Sequence, residues 1–216
     1  MVSSNFSVAL DVGGTFTDVV LVDMSIGRRW TIKTPSTPHN PAEAFFSGIE
    51  KIIRLADIEA SDVSRVFHGS TIATNAVLEG KGASIGMLIT NGFKYVLEIG
   101  RHDIPRKENL YTWVKPARPI RPRHIREVRE RVAVDGSIEL QIEPQDVHDA
   151  CEYFKSLDIE AIAVIFLHSY LNPENEKETL RLVKELLPGV LVSISSDVLP
   201  VFREYERAMA TTLNAY

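Results

Sequence analysis

"ALDVGGTFTDVVLVD", residues 9–23, passes from one apolar strand-like run into another through Asp11, two adjacent glycines, two threonines and Asp18. A tight turn between strands needs only one or two permissive residues, so the stretch carries more small polar material than chain reversal demands. Two readings account for it. In the first, the Gly13-Gly14 tip turns successive main-chain N–H groups inward, with no Cβ to block a phosphate, and Thr15 and Thr17 add hydroxyl donors. Asp11, at the end of the first strand, then puts a carboxylate beside the phosphate, where it orients Mg²⁺ through its water shell. In the second, the stretch is a plain hairpin with Asp11 as a cap. Asp18, one step into the next strand, orients the turn or faces the metal, the structural role ranking first. The residues after the glycines read as a strand rather than a helix. Neither G-x-x-x-x-G-K-[ST] nor G-x-G-x-x-G occurs in the chain, which sets aside the two commonest glycine-rich phosphate folds.

Working outward, FSVALDV, FTDVVLVD and RRWTIKT are rich in β-branched residues and predict an antiparallel meander. Asn40-Pro41 predicts a helix start, with asparagine as N-cap and proline in the first turn. The helix runs to about Ala56, and Ala42, Phe45, Phe46, Ile49, Ile52 and Ile53 give it one apolar face. A strand at 63–68, a helix at 71–79, a strand at 84–90 and a helix at 92–98 complete a β-β-β-α-β-α-β-α lobe over residues 1–100. Residues 101–143 read as an excursion rich in proline and arginine, then a hairpin of IREVRERVAV and SIELQI turned at Asp135-Gly136. Residues 144–216 form a second α/β segment: helix 145–157, strand 161–167, helix 173–187 opened by Asn172-Pro173, strand 190–195 and a helix from about 201. That helix still reads as helix at Tyr216, so the chain is expected to be the N-terminal part of something longer, continuing into a further lobe, or to be completed by a partner.

The 216 residues suffice for one large domain or two small ones, and 44% hydrophobic with 25% charged residues is a globular composition. A net charge of -5 gives no reason to expect nucleic acid, and the arginines at 118, 121, 123, 126, 129 and 131 alternate with Glu127 and Glu130, the pattern of a solvated or inter-subunit face. Cys151 is the one cysteine, which excludes an internal disulfide or an all-cysteine metal site. The N-terminus lacks a basic-then-apolar leader, and no segment has the length to cross a bilayer, so a cytoplasmic protein acting on small molecules is expected. GASIG at 82–86 matches G-x-S-x-G, but Ser84 enters a strand instead of leaving one for a helix, so no nucleophile elbow forms there.

The element order opened by D-x-G-G-T-x-T-D resembles the N-terminal lobe of the actin, sugar kinase and Hsp70 class of ATPases, an α/β fold with a mixed, ribonuclease H-like sheet. Within that class, DVGGTFTDVVLVD, HGSTIATNAVLEGKGASIGMLITNGFKYVLEIGR, FLHSYLNPENE and VLPVFREYERAMATTLNAY resemble the N-terminal region of the hydantoinase A and 5-oxoprolinase family, which includes acetone and acetophenone carboxylase subunits. The resemblance spans Val8 to Tyr216. It implies ATP-dependent opening of a cyclic amide: phosphorylation of the amide oxygen makes a leaving group and exposes the carbon to water, with the protein supplying position and charge neutralisation. Gly13, Gly14, Thr15 and Thr17 are then the phosphate cradle, Asp11 the Mg²⁺ residue, and a hydantoinase B-type subunit a partner. It also implies that the second phosphate loop and the adenosine pocket lie in another lobe, so that this chain by itself is an incomplete enzyme. The alternatives are a ketone carboxylase subunit and a nucleotide-operated module without catalysis. A dehydratase activator on the same fold needs cysteines for an iron–sulfur cluster, which one cysteine per chain argues against.

His68, Ser70 and Thr71 close a strand and open a helix, a place where sheets bind ligands. By local pattern His68 is a core histidine and Ser70 an N-cap; the resemblance instead gives His68 and Thr71 a substrate or phosphate role. Asn75, one turn further, is a poor helix-interior residue without a partner and is expected to make a polar contact. His168 is read as structural, and the charged run FREYER as a solvated helix face or, by the resemblance, as a segment that packs between lobes or contacts a partner, with no chemistry assigned to it. Ser70, Gly80 and Met209-Ala210 depart from the family pattern of threonine, arginine and a small hydroxyl-bearing pair, which leaves the phosphate site intact and the substrate open.

Overall fold

The computed structural model describes residues 5–37, 40–101, 105, 107–109, 111–115 and 118–216; expectations for the remainder of the 101–124 excursion lie outside the described residues. The chain divides into two compact units at Lys81/Gly82, whereas the sequence pattern carries the first lobe on to residue 100.

The first unit holds β1 (Phe6–Val12), β2 (Phe16–Asp23), β3 (Arg29–Pro35), α1 (Pro41–Ala56), β4 (Val63–Ser70) and α2 (Ile72–Glu79). Its sheet has the order β3-β2-β1-β4: the first three strands form the expected antiparallel meander, and β4 joins β1 in parallel. Strand alternation puts Val8, Leu10, Val19 and Leu21 on one face, all buried, where Phe45, Ile49 and Ile52 of α1 cover them. Gly48 permits the close approach, since a Cβ there would stand 2.9 Å from Cγ2 of Val19. Asn40 occupies the N-cap position of α1, but its side chain makes no cap bond. Thr37 does that work: its Oγ1 accepts from the Ala44 N–H at 3.1 Å and donates to the Asn40 carbonyl at 2.5 Å.

The second unit holds β5 (Ile85–Thr90), α3 (Val96–Ile99), β6 (Ile125–Val128), β7 (Arg131–Val132), β8 (Ile138–Leu140), α4 (Pro144–Lys155), β9 (Ala161–Ile165), α5 (Glu174–Leu186), β10 (Leu191–Ile194), α6 (Ser195–Val198) and α7 (Glu204–Ala215). A parallel sheet in the order β10-β9-β5-β6 lies between α4 and α5 on one face and α3 and α7 on the other. Strand 84–90, grouped with the first lobe by sequence, is central here. Every residue of β5 is buried, as a strand covered on both faces requires. The hairpin expected over 125–142 shrinks to β7 and β8 around Asp135-Gly136, with Gly136 at φ +86°; IREV forms β6 and pairs with β5. The helix expected at 92–98 is the four-residue α3, because residues 91–95 turn through Gly92 at φ +91°. Asn172 opens α5 as expected, its Oδ1 accepting from the Glu174 N–H at 3.1 Å. Among the described residues no helix is long and apolar enough to cross a membrane.

Candidate functional site

The β1–β2 connection closes with a 3.1 Å bond from the Gly13 N–H to the Phe16 carbonyl. Neither Gly13 nor Gly14 has positive φ, so crowding rather than backbone freedom selects glycine. A Cβ on Gly13 would meet the Phe16 carbonyl at 3.0 Å, and one on Gly14 would meet Nδ2 of Asn75 at 3.3 Å. The next two main-chain N–H groups, of Gly14 and Thr15, make no hydrogen bond among the described residues. Consecutive amides left open at a glycine tip form an anion-binding concavity.

A cleft of about 500 Å³ opens at this tip, lined by Val12, Gly13, Gly14 and Thr15 of the hairpin, Ser36 and Thr37 beyond β3, Ile72, Asn75, Ala76 and Glu79 of α2, and Lys81. α2 is held against the hairpin by the Thr71 N–H on the Val12 carbonyl at 3.4 Å. Asn75 reaches over Gly14 and approaches Oγ1 of Thr71 at 3.5 Å. Gly80, at φ +65°, ends α2 and turns Lys81 back to the cleft, with the Lys81 N–H on the Ala76 carbonyl at 2.9 Å. There Nζ of Lys81 pairs with Glu79 at 2.6 Å, a contact that raises the Lys81 pKa above its ordinary value.

The other expected site residues divide among three places. Asp11 is exposed on the sheet face opposite α1, level with Asp18 across the hairpin and Gly69 on β4. Asp18 is tied to Lys33 at 3.0 Å, whereas Asp11 makes no hydrogen bond or ion pair among the described residues. His68 faces the α1 side, its ring edge-on to Phe45 at 5.2 Å, and does not line the cleft. Thr71 takes the N-cap position of α2 without a side-chain cap bond; Ser70 supplies one, its Oγ accepting from the Ile72 N–H at 3.3 Å. Thr17 departs from its expected role as a phosphate donor. Its register opposite Val12 turns it to the core side, where it is fully buried and shares a 2.9 Å hydroxyl–hydroxyl bond with Ser36. Ser36, Thr37, Glu79 and Lys81 went unsuspected from sequence. The readable signal for the last two was a glycine just past a helix end.

Among the described residues no group of three or more His, Cys, Asp or Glu side chains forms a metal cage. One unengaged carboxylate at Asp11 suits Mg²⁺, which keeps most of its waters and takes the rest of its ligands from phosphate oxygens.

Residues 7–187 match the family described as the hydantoinase/oxoprolinase N-terminal region. The chain belongs to this hydantoinase/oxoprolinase family. Caprolactamase subunit alpha of Pseudomonas jessenii is 34% identical over 225 residues, covering 100% of this chain and 32% of that protein. 5-Oxoprolinase 1 of Arabidopsis thaliana is 31% identical over 237 residues, covering 96% and 18%. The nucleotide-free structure of acetone carboxylase, from work on ATP-dependent acetone carboxylation, superposes with a TM-score of 0.88 at 25% identity, covering 97% of this chain and 32% of that one. The mixed α/β, actin-like lobe expected from the resemblance is thus the fold of this hydantoinase/oxoprolinase region, which spans less than a third of the length of these relatives.

Proposed function

We propose that the chain is the N-terminal part of an ATP-dependent cyclic amidase, in which the Gly13-Gly14 tip holds the transferred phosphate. The observation that carries this reading is the pair of unengaged N–H groups on Gly14 and Thr15 beside the 500 Å³ cleft. A lactam carbonyl is stabilised by its nitrogen, so the ring needs activation before water can open it. The amide oxygen attacks the γ-phosphorus of ATP and ADP departs. Water adds to the activated carbon, the ring C–N bond breaks as the nitrogen takes a proton, and a second water releases phosphate from the resulting acyl phosphate. The reaction thus consumes one ATP and two waters and yields an open-chain amino acid, ADP and phosphate.

In this chain Gly14 and Thr15 donate main-chain N–H groups to the phosphate, the Thr15 hydroxyl adds a third donor, and Asn75 orients the amide across the glycine tip. Asp11 would hold Mg²⁺, which would supply neutralisation of phosphate charge. Thr71 positions Asn75, and His68 positions α1 through Phe45. The relatives' names include enzyme subunits, which supports a partner subunit, and the chain spans less than a third of their length, which supports a further region; in this reading the partner is of the hydantoinase B type and the further lobe holds the adenosine. A cytoplasmic location accords with the same small-molecule chemistry.

The acetone carboxylase superposition favours one second reading, a ketone carboxylase subunit. ATP consumption by the intact protein with its partner subunit separates the two. Stimulation by 5-oxoproline, hydantoin or other lactams, with ring-opened product, supports the amidase; stimulation confined to acetone with bicarbonate transfers the assignment to the carboxylase.

A further inference from the structure

The cleft beside the glycine tip has a charge pattern that bears on which cyclic amide enters. Thr15 and Asn75 offer a hydroxyl and an amide, Ser36 and Thr37 line the cleft with hydroxyls already bonded to Thr17 and to the start of α1, and Ile72 and Ala76 offer an apolar wall. Among the described residues no aromatic side chain lines it, so they give it no platform on which a purine would stack; its volume of about 500 Å³ lies in the range of small-molecule sites. The charged residues in the described lining are Glu79 and Lys81, and they neutralise each other at 2.6 Å.

We infer that this cleft is the acceptor subsite of the proposed amidase and that the Glu79–Lys81 pair makes it select an uncharged cyclic amide over one bearing a carboxylate. The inference rests on the amidase reading and adds to it a substrate class and a residue pair that sets it. A ring amide fits with its hydrocarbon edge on Ile72 and Ala76 and its amide on Asn75, one side chain from the phosphate-holding tip. A substrate carboxylate finds one cation, Lys81, whose Nζ is already engaged, and it finds the Glu79 carboxylate next to that cation. To bind Lys81 it must displace Glu79 and then lie beside a like charge. The pair is solvent-exposed, with side chains 74% and 54% accessible, so the discrimination it provides is modest.

The test compares 2-pyrrolidinone with 5-oxoproline, the same five-membered lactam without and with a carboxylate, in the intact protein with its partner subunit. The readout is kcat/KM for lactam-dependent ADP release, checked against ring-opened product. The wild type is expected to favour 2-pyrrolidinone. Glu79→Gln frees the lysine and removes the neighbouring negative charge, and is expected to shift the ratio by up to about fivefold toward 5-oxoproline. Lys81→Met leaves Glu79 alone and is expected to shift the ratio the other way. Both side chains are exposed, so neither variant threatens folding. A wild type that takes 5-oxoproline as well as or better than 2-pyrrolidinone overturns the inference and leaves the amidase reading standing. An unchanged ratio in both variants does the same. A protein that opens neither ring while consuming ATP with a ketone removes the amidase reading and the inference together.

Discussion

Replacing Gly14 by alanine separates the proposed phosphate-holding role of the hairpin from its structural role. An alanine Cβ at this position stands 3.3 Å from Nδ2 of Asn75, the mobile end of a side chain, and meets no backbone within 4 Å. Neither glycine of the tip needs positive φ, so alanine introduces no backbone strain. A shift of a few tenths of an ångström in Asn75 relieves the contact, and stability is expected to change by less than about 1 kcal/mol. The effect on ligand is larger. The new methyl is expected to crowd a phosphate at the Gly14 and Thr15 N–H groups and to push Asn75 from the tip. Losing one hydrogen bond to a charged phosphate costs about 1.5–3 kcal/mol, which is roughly 10- to 150-fold in affinity. Titration of Mg-ATP into intact wild-type and Gly14→Ala protein measures this, and thermal unfolding of the same samples checks the fold. Gly13→Ala is the contrast: its Cβ meets the Phe16 carbonyl at 3.0 Å, a fixed backbone atom, so it is expected to lower both stability and affinity. Unaltered ATP affinity in a well-folded Gly14→Ala protein would refute the phosphate-binding assignment of the tip.

Thr17→Val tests the structural assignment of that hydroxyl: loss of its bond to Ser36 is expected to cost about 1 kcal/mol of stability by urea unfolding, with ATP affinity unchanged, and a tenfold affinity loss would return Thr17 to the phosphate site. Phe154→Ala in α4 empties a fully buried position against Gly86 of β5 and is expected to lose about 3–5 kcal/mol by the same measurement, while a loss under 1 kcal/mol would contradict the packing described for the second unit. Burial holds the Glu130 carboxyl above the usual carboxylate range, against hydrogen bonds from Thr90 and Asn175 that lower it. The folded chain therefore binds this proton more tightly than the unfolded one, so the contribution to stability is complete below the unfolded value of about 4.3 and is lost as pH rises through the folded value. Glu130→Gln removes that dependence, and its stability relative to wild type is expected to increase from pH 4 toward neutrality; a difference independent of pH would show that Glu130 does not titrate in this way.

The meander was legible because its evidence is local. Val8, Leu10, Val19 and Leu21 alternate with less buried positions along β1 and β2, and the glycine tip between them marks the reversal. The placement of β5 was not legible. Ile85–Thr90 reads as a strand from any window, but its partners Ala161–Ile165 and Ile125–Val128 are distant in sequence, and a continuously buried run does not say which sheet it completes. The hairpin over 125–142 failed for a related reason. IREVRERV has strand composition throughout, yet Glu130 turns inward to Thr90 and Asn175, and Arg129 binds Asp146 through both main chain and side chain. These tertiary bonds end β6 after Val128 and leave only two residues, Arg131 and Val132, to pair with β8.

At the candidate site, the residues that were legible are those whose local chemistry is anomalous. Two glycines exceed what a turn needs, and an asparagine inside a helix wants a partner; Gly14 and Asn75 answer each other across the cleft. Thr17 was misplaced because a motif read as a string has no sides. Along a strand, consecutive residues point to opposite faces, so Asp11 and Asp18 share the face away from α1 while Val12 and Thr17 share the other. The same alternation gives the site its arrangement. It leaves a carboxylate on one side of the glycine tip and the hydroxyl- and amide-lined cleft on the other. In the proposed amidase, a phosphate held at the tip would face Asp11 from one side and the cleft from the other without the two competing for space.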